Sequence, residues 1–471
     1  MKKLSVIAAT VMALTACGSD SSPAPTPTSN PTADQCSVEG QNQQLIDNLR
    51  RDYLWNDQLP DSISASSYSS PYALLEDVVP PLDRFSFMIT RQEYEDRYVN
   101  ATFFGLGFGY AVDPEREELR INYVYENSPA GRAGITRGAL LTRINDIDMS
   151  TFFSSDLYAR IERGEASWNE VFGPNQEGAE VSIEWRRPDG TLDDDVLARE
   201  EVETNTIMAV ERYQLDNGDH AGYFVFDSFI DRSAQDINTA IDQLVAAGGV
   251  DELIIDLRYN GGGLIRIANQ IASQASWDFV ENETFLTFNY NDNYADEEYL
   301  FDLGDGIERL NLPRVVVLTT GASCSSSEII INSLEPFVDV VTVGQPTCGK
   351  PVGQSPTQIC DKMLFAINFQ TVNAEGEGDY FDGLTPTCSA QDRAITDWGD
   401  LEDPLLAEAY HYLQTGSCSA SATGIQDKDA NIAADNWGAA QSDSAQSESQ
   451  TPQSITDRSR NPLLEKWRQQ Q

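Results

Sequence analysis

Four serines surround one cysteine in Ala322-Ser323-Cys324-Ser325-Ser326-Ser327-Glu328, directly after a strongly apolar run. A serine hydroxyl becomes a useful nucleophile when a neighbouring base takes its proton, and histidine is the usual base. The chain has only 2 histidines. His220 opens a strand-like segment and His411 sits in the helix-like "AEAYHYLQ", so both read as structural or surface residues. Lysine is the remaining candidate base. Its ammonium titrates near ~10.4 in water, and burial lowers that by several units because it penalises the charged form.

The elements that must position these groups select one lysine. After Thr204, the strand-like "AGYFVF", "DELIIDL", "PRVVVLTT" and "VDVVTVG" alternate with helical stretches at about 233–247, 264–275 and 325–334. This alternation predicts an α/β sheet of parallel strands with right-handed crossovers. Loops that follow parallel strands emerge at one sheet edge, where α/β active sites usually lie. The serine-rich turn follows one strand, a helix of ~15 Å leads back, and a strand of ~20 Å delivers "GQPTCGK" to the same edge. Lys350 therefore returns beside Ser325. "LRYNGGG", residues 257–263, follows another strand of the set, and its consecutive glycines let backbone N–H groups approach a ligand closely. That suits an oxyanion hole better than a phosphate cradle; neither G-x-G-x-x-G nor a Walker sequence is present. Ser325 and Glu328 also match the S-x-x-E capping box, which places Ser325 at a helix N-terminus where amides and dipole favour developing negative charge.

The blocks "DLRYNGGG", "SCSSSE" and "GQPTCGKPVGQ" resemble, in order and spacing, the signature blocks of the carboxyl-terminal processing (tail-specific) serine proteases. The resemblance covers about residues 42–400 and includes "PPLDRFSFM". It implies that Ser325, the middle serine of Ser323, Ser325 and Ser327, is the nucleophile and Lys350 its general base. Gln354 would orient the base, and Gly262 and Ser326 would supply the oxyanion amides. No metal and no cofactor is implied. Between about 101 and 197 the pattern is of short strands, and "FFGLGFGY" with "ENSPAGRAGITRGALLTRIND" is similar to a PDZ domain. Such domains add a peptide as an extra strand and hold its terminal carboxylate with backbone N–H groups; here Leu106, Gly107 and Phe108 would do so. Ala139 stands where the family usually carries an acidic residue, which leaves the ligand preference undetermined. Cys324 and Cys348 also depart from the family pattern. They allow either a mutual disulfide, which would clamp the dyad or make activity redox dependent, or two buried free thiols.

The expected fold class is α/β and multidomain: a small helical N-terminal unit (41–100), a PDZ domain (101–200) and an α/β protease core of crotonase-like type (201–414). Length agrees, since 471 residues at roughly 150 per domain make about three units. Residues 1–17 read as a secretory signal whose "LTAC" resembles a bacterial lipobox, with Cys17 as the lipidated residue. Gly18 after it fits an outer-membrane lipoprotein facing the periplasm, and the Pro/Ser/Thr-rich 18–40 fits a disordered tether. Residues 415–471, rich in Ser, Ala, Gln and Asp, read as a disordered tail. Six cysteines remain in an exported chain, so disulfides are expected among 15 possible pairings. Their wide spacing lacks the paired pattern of a zinc site. A net charge of −44 argues against nucleic-acid partners. The implied partners are protein or peptide substrates held by their C-termini and, through the lipid, a membrane. Two rival readings stand beside an endopeptidase: a non-catalytic PDZ scaffold on a degenerate protease fold, and an acyl-thioester enzyme, disfavoured by export.

Overall fold

The computed structural model describes residues 34–95 and 102–420. The lipidation reading at Cys17, the signal, most of the tether and residues 421–471 lie outside them. The largest sheet has six strands: β1 (Ile207–Gln214), β2 (His220–Phe226), β3 (Glu252–Asp256), β4 (Arg314–Thr319), β5 (Asp339–Gly344) and β6 (Cys388–Ser389), in that spatial order. β1 pairs antiparallel with β2, and every later pair is parallel. Parallel strands need both faces covered, and the runs Leu253–Ile255 and Val315–Leu318 are apolar throughout for that reason. Phe224, Ile255 and Val317 face α1 (Ser233–Ala246), α2 (Ile265–Val280) and α3 (Ser326–Leu334). Tyr223, Ile254 and Val316 face α4 (Pro404–Thr415) on the other side. Asp403 caps α4 by accepting from the amides of Leu405 and Leu406, and Gly416 ends it in the left-handed conformation.

The N-terminal region is not the separate helical unit expected over 41–100. Helices Val38–Asp52 and Pro71–Val78 are present, but Phe87–Thr90 is a strand that pairs antiparallel with Lys362–Phe365. Aromatic and β-branched alternation in "FSFMIT" favours a strand, and its partner lies too far along the chain for a local pattern to reveal it. The apolar faces of the two helices share one core with Val352, Ile359, Leu364 and Ile367. A disulfide between Cys36 and Cys360, Cα atoms 5.8 Å apart, ties the helix entrance to the same region. The expected tether boundary at 40 is therefore too late, because residues from Asp34 on are already engaged. The tail boundary at 415 is too early, because Cys418 is bonded to Cys388 of β6.

Residues 102–203 form a β-rich module. Five antiparallel strands, Phe108–Asp113, Glu118–Val124, Leu140–Ile144, Glu180–Arg186 and Leu192–Ala198, enclose their own core around Leu119, Ile121, Ile183 and Trp185. The module docks on the central sheet through an aromatic cluster, Tyr123 and Tyr125 against Tyr259 and Trp398, and through polar contacts. Arg137, 1% exposed, donates to Asp392 (2.8 Å) and the Thr396 carbonyl (2.7 Å), and Tyr125 donates its hydroxyl to Asp227 at 2.8 Å.

Burial pushes the Asp227 carboxyl up to about 7, against the smaller opposing effect of the Tyr125 hydrogen bond. Solvent reaches one edge of this side chain, which moderates the shift. A raised folded-state pKa means that the contribution is complete below the unfolded value of 3.8 and is lost as pH rises through about 7. Asp227→Asn should therefore flatten the stability-versus-pH curve between pH 4 and 7 relative to wild type, by up to roughly 1.4 kcal/mol per pH unit. Urea melts of both proteins across that range are the check. Parallel curves would remove Asp227 as the source.

Candidate active site

Three loops converge at the C-terminal edge of the parallel strands: 257–263 after β3, 320–325 after β4 and 345–350 after β5. Their convergence follows from strand polarity. The serine cluster is sorted by where each hydroxyl goes. Ser323 donates to the Leu257 carbonyl (2.8 Å), Ser327 to that of Asn260 (2.8 Å) and Ser326 to that of Gly263 (2.7 Å). These three are buried and lace the serine turn to the glycine loop. Ser325 alone of the four keeps part of its surface exposed, and among the described residues no backbone carbonyl receives its hydroxyl.

Ser325 is the N-cap of α3, and its backbone sits at φ 55°, ψ −114°. Positive φ at a non-glycine residue costs of order 1–3 kcal/mol and persists only where the surroundings enforce it. Glu328 is the enforcing group. Its buried carboxylate accepts the Ser325 N–H (2.8 Å) and the Lys350 N–H (2.9 Å) on one oxygen, and the Gly349 N–H (2.8 Å) and Thr347 hydroxyl (2.6 Å) on the other. Burial pushes this carboxyl above its usual range, and the four donors act against that shift. A disulfide between Cys324 and Cys348, Cα atoms 5.2 Å apart, joins the same two loops and replaces the alternative of free thiols. The capping box was legible in the sequence, but the second half of Glu328's role, holding the lysine loop, was not.

Lys350 Nζ donates to Gln354 Oε1 at 2.8 Å, and Gln354 Nε2 donates to the Phe85 carbonyl at 2.6 Å. The Phe85 ring lies 5.5 Å from Nζ, within cation–π range. Gly262 approaches the serine turn so closely that a Cβ there would stand 2.8 Å from the Cys324 carbonyl oxygen, 2.8 Å from Ser325 Cβ and 3.0 Å from Ser326 N. Its φ of +98° independently requires glycine. Its amide is not presented to the site as the sequence suggested, because it donates to Asn260 Oδ1 at 2.9 Å, an Asx turn that shapes the loop. Gly262→Ala should cut activity at least 10-fold and destabilise the fold by roughly 1–3 kcal/mol, since backbone must shift. Parallel rate and melting measurements would show it, and wild-type values in both would mean the loop has slack.

The glycine loop itself stands on a buried charge cluster that no motif announced. Arg258 donates to Asp256 (2.7 Å), Asp392 (3.1 Å) and Asp403 (2.8 Å), and Tyr259 bonds Asp392. The Thr320 hydroxyl bonds the Arg258 carbonyl, which ties this loop to the serine loop. Leu106, Gly107 and Phe108 lie in the β-rich module, at the turn entering Phe108–Asp113, and not at the edge that carries Ser325. Gly107 has φ +86° and packs on Ser128, and the Leu106 carbonyl accepts from Ala130 N at 3.0 Å.

Residues 220–390 match peptidase family S41 and residues 40–87 match the peptidase S41 N-terminal domain. A carboxyl-terminal-processing protease of Synechocystis sp. is 26% identical over 302 residues, 63% of this chain and 65% of that protein. A second, from Picosynechococcus sp., is 26% identical over 60% of this chain and 64% of its own length. The matched stretch thus spans less than two thirds of either relative. A crystal structure described as an S41 protease of Bacteroides fragilis superposes with a TM-score of 0.64 at 22% identity, covering 79% of this chain and 97% of that one. The likeness establishes the fold.

Proposed function

This chain belongs to the carboxyl-terminal processing family of serine proteases, peptidase family S41, and on that premise we propose that it is an endopeptidase working through a Ser325–Lys350 dyad. The observation that carries the reading is the sorting of the serines: Ser325 is the one whose hydroxyl is given to no backbone carbonyl among the described residues, on a strained turn bound by Glu328 and a disulfide to the loop of Lys350. Neutral Lys350 takes the Ser325 proton as Oγ attacks the scissile carbonyl, while Gln354 holds Nζ in place. The Ser326 amide, at the start of α3, stabilises the oxyanion. The Gly262 amide joins it only if its contact with Asn260 opens. Lys350 then protonates the departing amine, and water, deprotonated by the same lysine, releases the acyl-enzyme. None of these steps calls for a metal or cofactor.

In this reading the β-rich module is a PDZ domain that takes substrate C-termini on the amides of Leu106, Gly107 and Phe108. Cys17 carries the lipid, and the substrates are exported proteins at the periplasmic face of the outer membrane. The test is incubation of the purified protein with casein, together with a serine-reactive fluorophosphonate probe and mass mapping of the adduct. The expected result is fragmentation of casein and an adduct on Ser325. A non-catalytic scaffold would yield neither, and an acyl-thioester enzyme would turn over thioesters while leaving casein intact.

A further inference from the structure

The base is not held by the protease core alone. Residues 83–86 arrive from the N-terminal region, more than two hundred residues earlier in the chain, and Arg84 and Phe85 reach the turn that carries Lys350 and its supports. The Arg84 guanidinium donates to the carbonyls of Cys348 (3.1 Å), Gly349 (3.2 Å) and Phe381 (2.8 Å). Cys348 and Gly349 are the two residues directly before the lysine. All three carbonyls converge on one terminal nitrogen of the guanidinium, Nη2, which shares its N–H groups among them. Phe85 places its ring beside both cations, 4.9 Å from the Arg84 guanidinium carbon and 5.5 Å from Lys350 Nζ, and its carbonyl anchors Gln354.

The segment is itself fixed from behind. Asp83 is buried, with one oxygen accepting the amides of Phe85 (3.0 Å) and Ser86 (2.8 Å) and the other accepting the Tyr53 hydroxyl at 2.7 Å. Tyr53 follows the first helix, Val38–Asp52, and is fully buried. A rigid path therefore runs from the N-terminal helix to the backbone of the lysine turn. Glu328 grips that turn through its N–H groups and Arg84 grips it through its C=O groups, so the two sides of the same peptide units are held by opposite charges.

We propose that Arg84 is a positioning residue for the base, setting both where Lys350 Nζ stands and how readily it stays neutral. The inference rests on the reading of Lys350 as the base. The second effect follows from charge: a neighbouring cation disfavours the protonated lysine. The acidic groups within electrostatic reach of Arg84 are Glu328 from α3 and Asp382 from the loop beyond Phe381. Arg84 is the cation that shares the Phe85 ring with the lysine.

The experiment compares wild type, Arg84→Gln, Arg84→Lys and Lys350→Ala in steady-state cleavage of fluorescein-labelled casein across pH, with melting curves for each. Arg84→Gln should lower kcat on the order of 10-fold to 100-fold, as a displaced catalytic group does, with KM within about twofold. It should also move the acidic limb of the rate profile to higher pH. Arg84→Lys should restore the limb and part of kcat, because it keeps the charge and a donor nitrogen but not the planar guanidinium head. Wild-type kcat and limb in Arg84→Gln, or a rate loss matched by the melted fraction, overturns the inference. If Lys350→Ala still cleaves, the assignment of the base has failed and the inference with it; if Lys350→Ala is dead while Arg84→Gln is normal, only the positioning role has failed.

Discussion

Ser325→Ala and Lys350→Ala are each expected to bring casein cleavage down to background, a loss on the order of 10⁴-fold or more, with the double variant no worse than either alone. The non-additivity is the informative part, since groups that act as one unit are lost together. Lys350→Arg should be as inactive as the alanine variant, because a guanidinium does not give up its proton in a protein and cannot act as a base. Neither substitution should unfold the protein. Ser325 bears a part-exposed hydroxyl outside the buried hydrogen-bond lacing, and replacing it leaves the bonds of Ser323, Ser326 and Ser327 in place. Melting curves that overlay wild type, together with lost cleavage, identify chemistry as the step removed. Residual activity well above background in Lys350→Ala would point to another base, and additive losses in the double variant would mean that the two residues act in separate steps.

Glu328→Gln is expected to damage stability and activity together, although it changes one atom. All four partners of the carboxylate are donors, two on each oxygen. An amide supplies one acceptor oxygen and turns the other position into a donor, so two donors are left facing an N–H₂ group in a site without solvent. Each buried donor left unsatisfied costs about 1–3 kcal/mol. The variant should therefore lose roughly 2–6 kcal/mol and melt at least about 5 °C lower. Activity should fall further than folding alone accounts for, because two of the amides that face Glu328 belong to Ser325 and Lys350, the proposed nucleophile and base. The measurements are thermal unfolding and casein cleavage at a temperature where the variant remains folded. A variant that melts and cleaves like wild type would falsify the idea that this carboxylate sets the register of the two loops. The Cys324–Cys348 disulfide does not duplicate the function, since it links the loops one residue before Ser325 and two before Lys350 without fixing either amide.

The parts of this protein that are readable in one dimension are those set by local pattern. Uninterrupted apolar runs bounded by turns announce parallel strands buried on both faces, and their alternation with amphipathic stretches implies that the loops of Gly262, Ser325 and Lys350 share an edge. The expected helix at 325–334 is observed at Ser326–Leu334, and the expected one at 233–247 at Ser233–Ala246. Local pattern failed where a strand pairs across the chain. Phe87–Thr90 is stabilised by Lys362–Phe365, and nothing near residue 87 records that partner.

Within the site, the sequence alone determined which residue types were available: two unsuitable histidines, a lysine arriving at the right edge, a serine run and a glycine loop. Tertiary structure decided which of the serine hydroxyls are spent on neighbouring carbonyls. Whether a serine hydroxyl is spent on a carbonyl depends on what faces it, and Ser323, Ser326 and Ser327 meet carbonyls of the glycine loop, which lies more than fifty residues earlier in the chain. The same holds for the Gly262 amide, taken by the Asn260 side chain, and for the pairing of the cysteines, where 15 combinations collapse to three bonds once Cα atoms stand 5.2–5.8 Å apart. Hydrogen bonds and disulfides are short-ranged and directional, so they are determined by distances that a linear pattern does not contain.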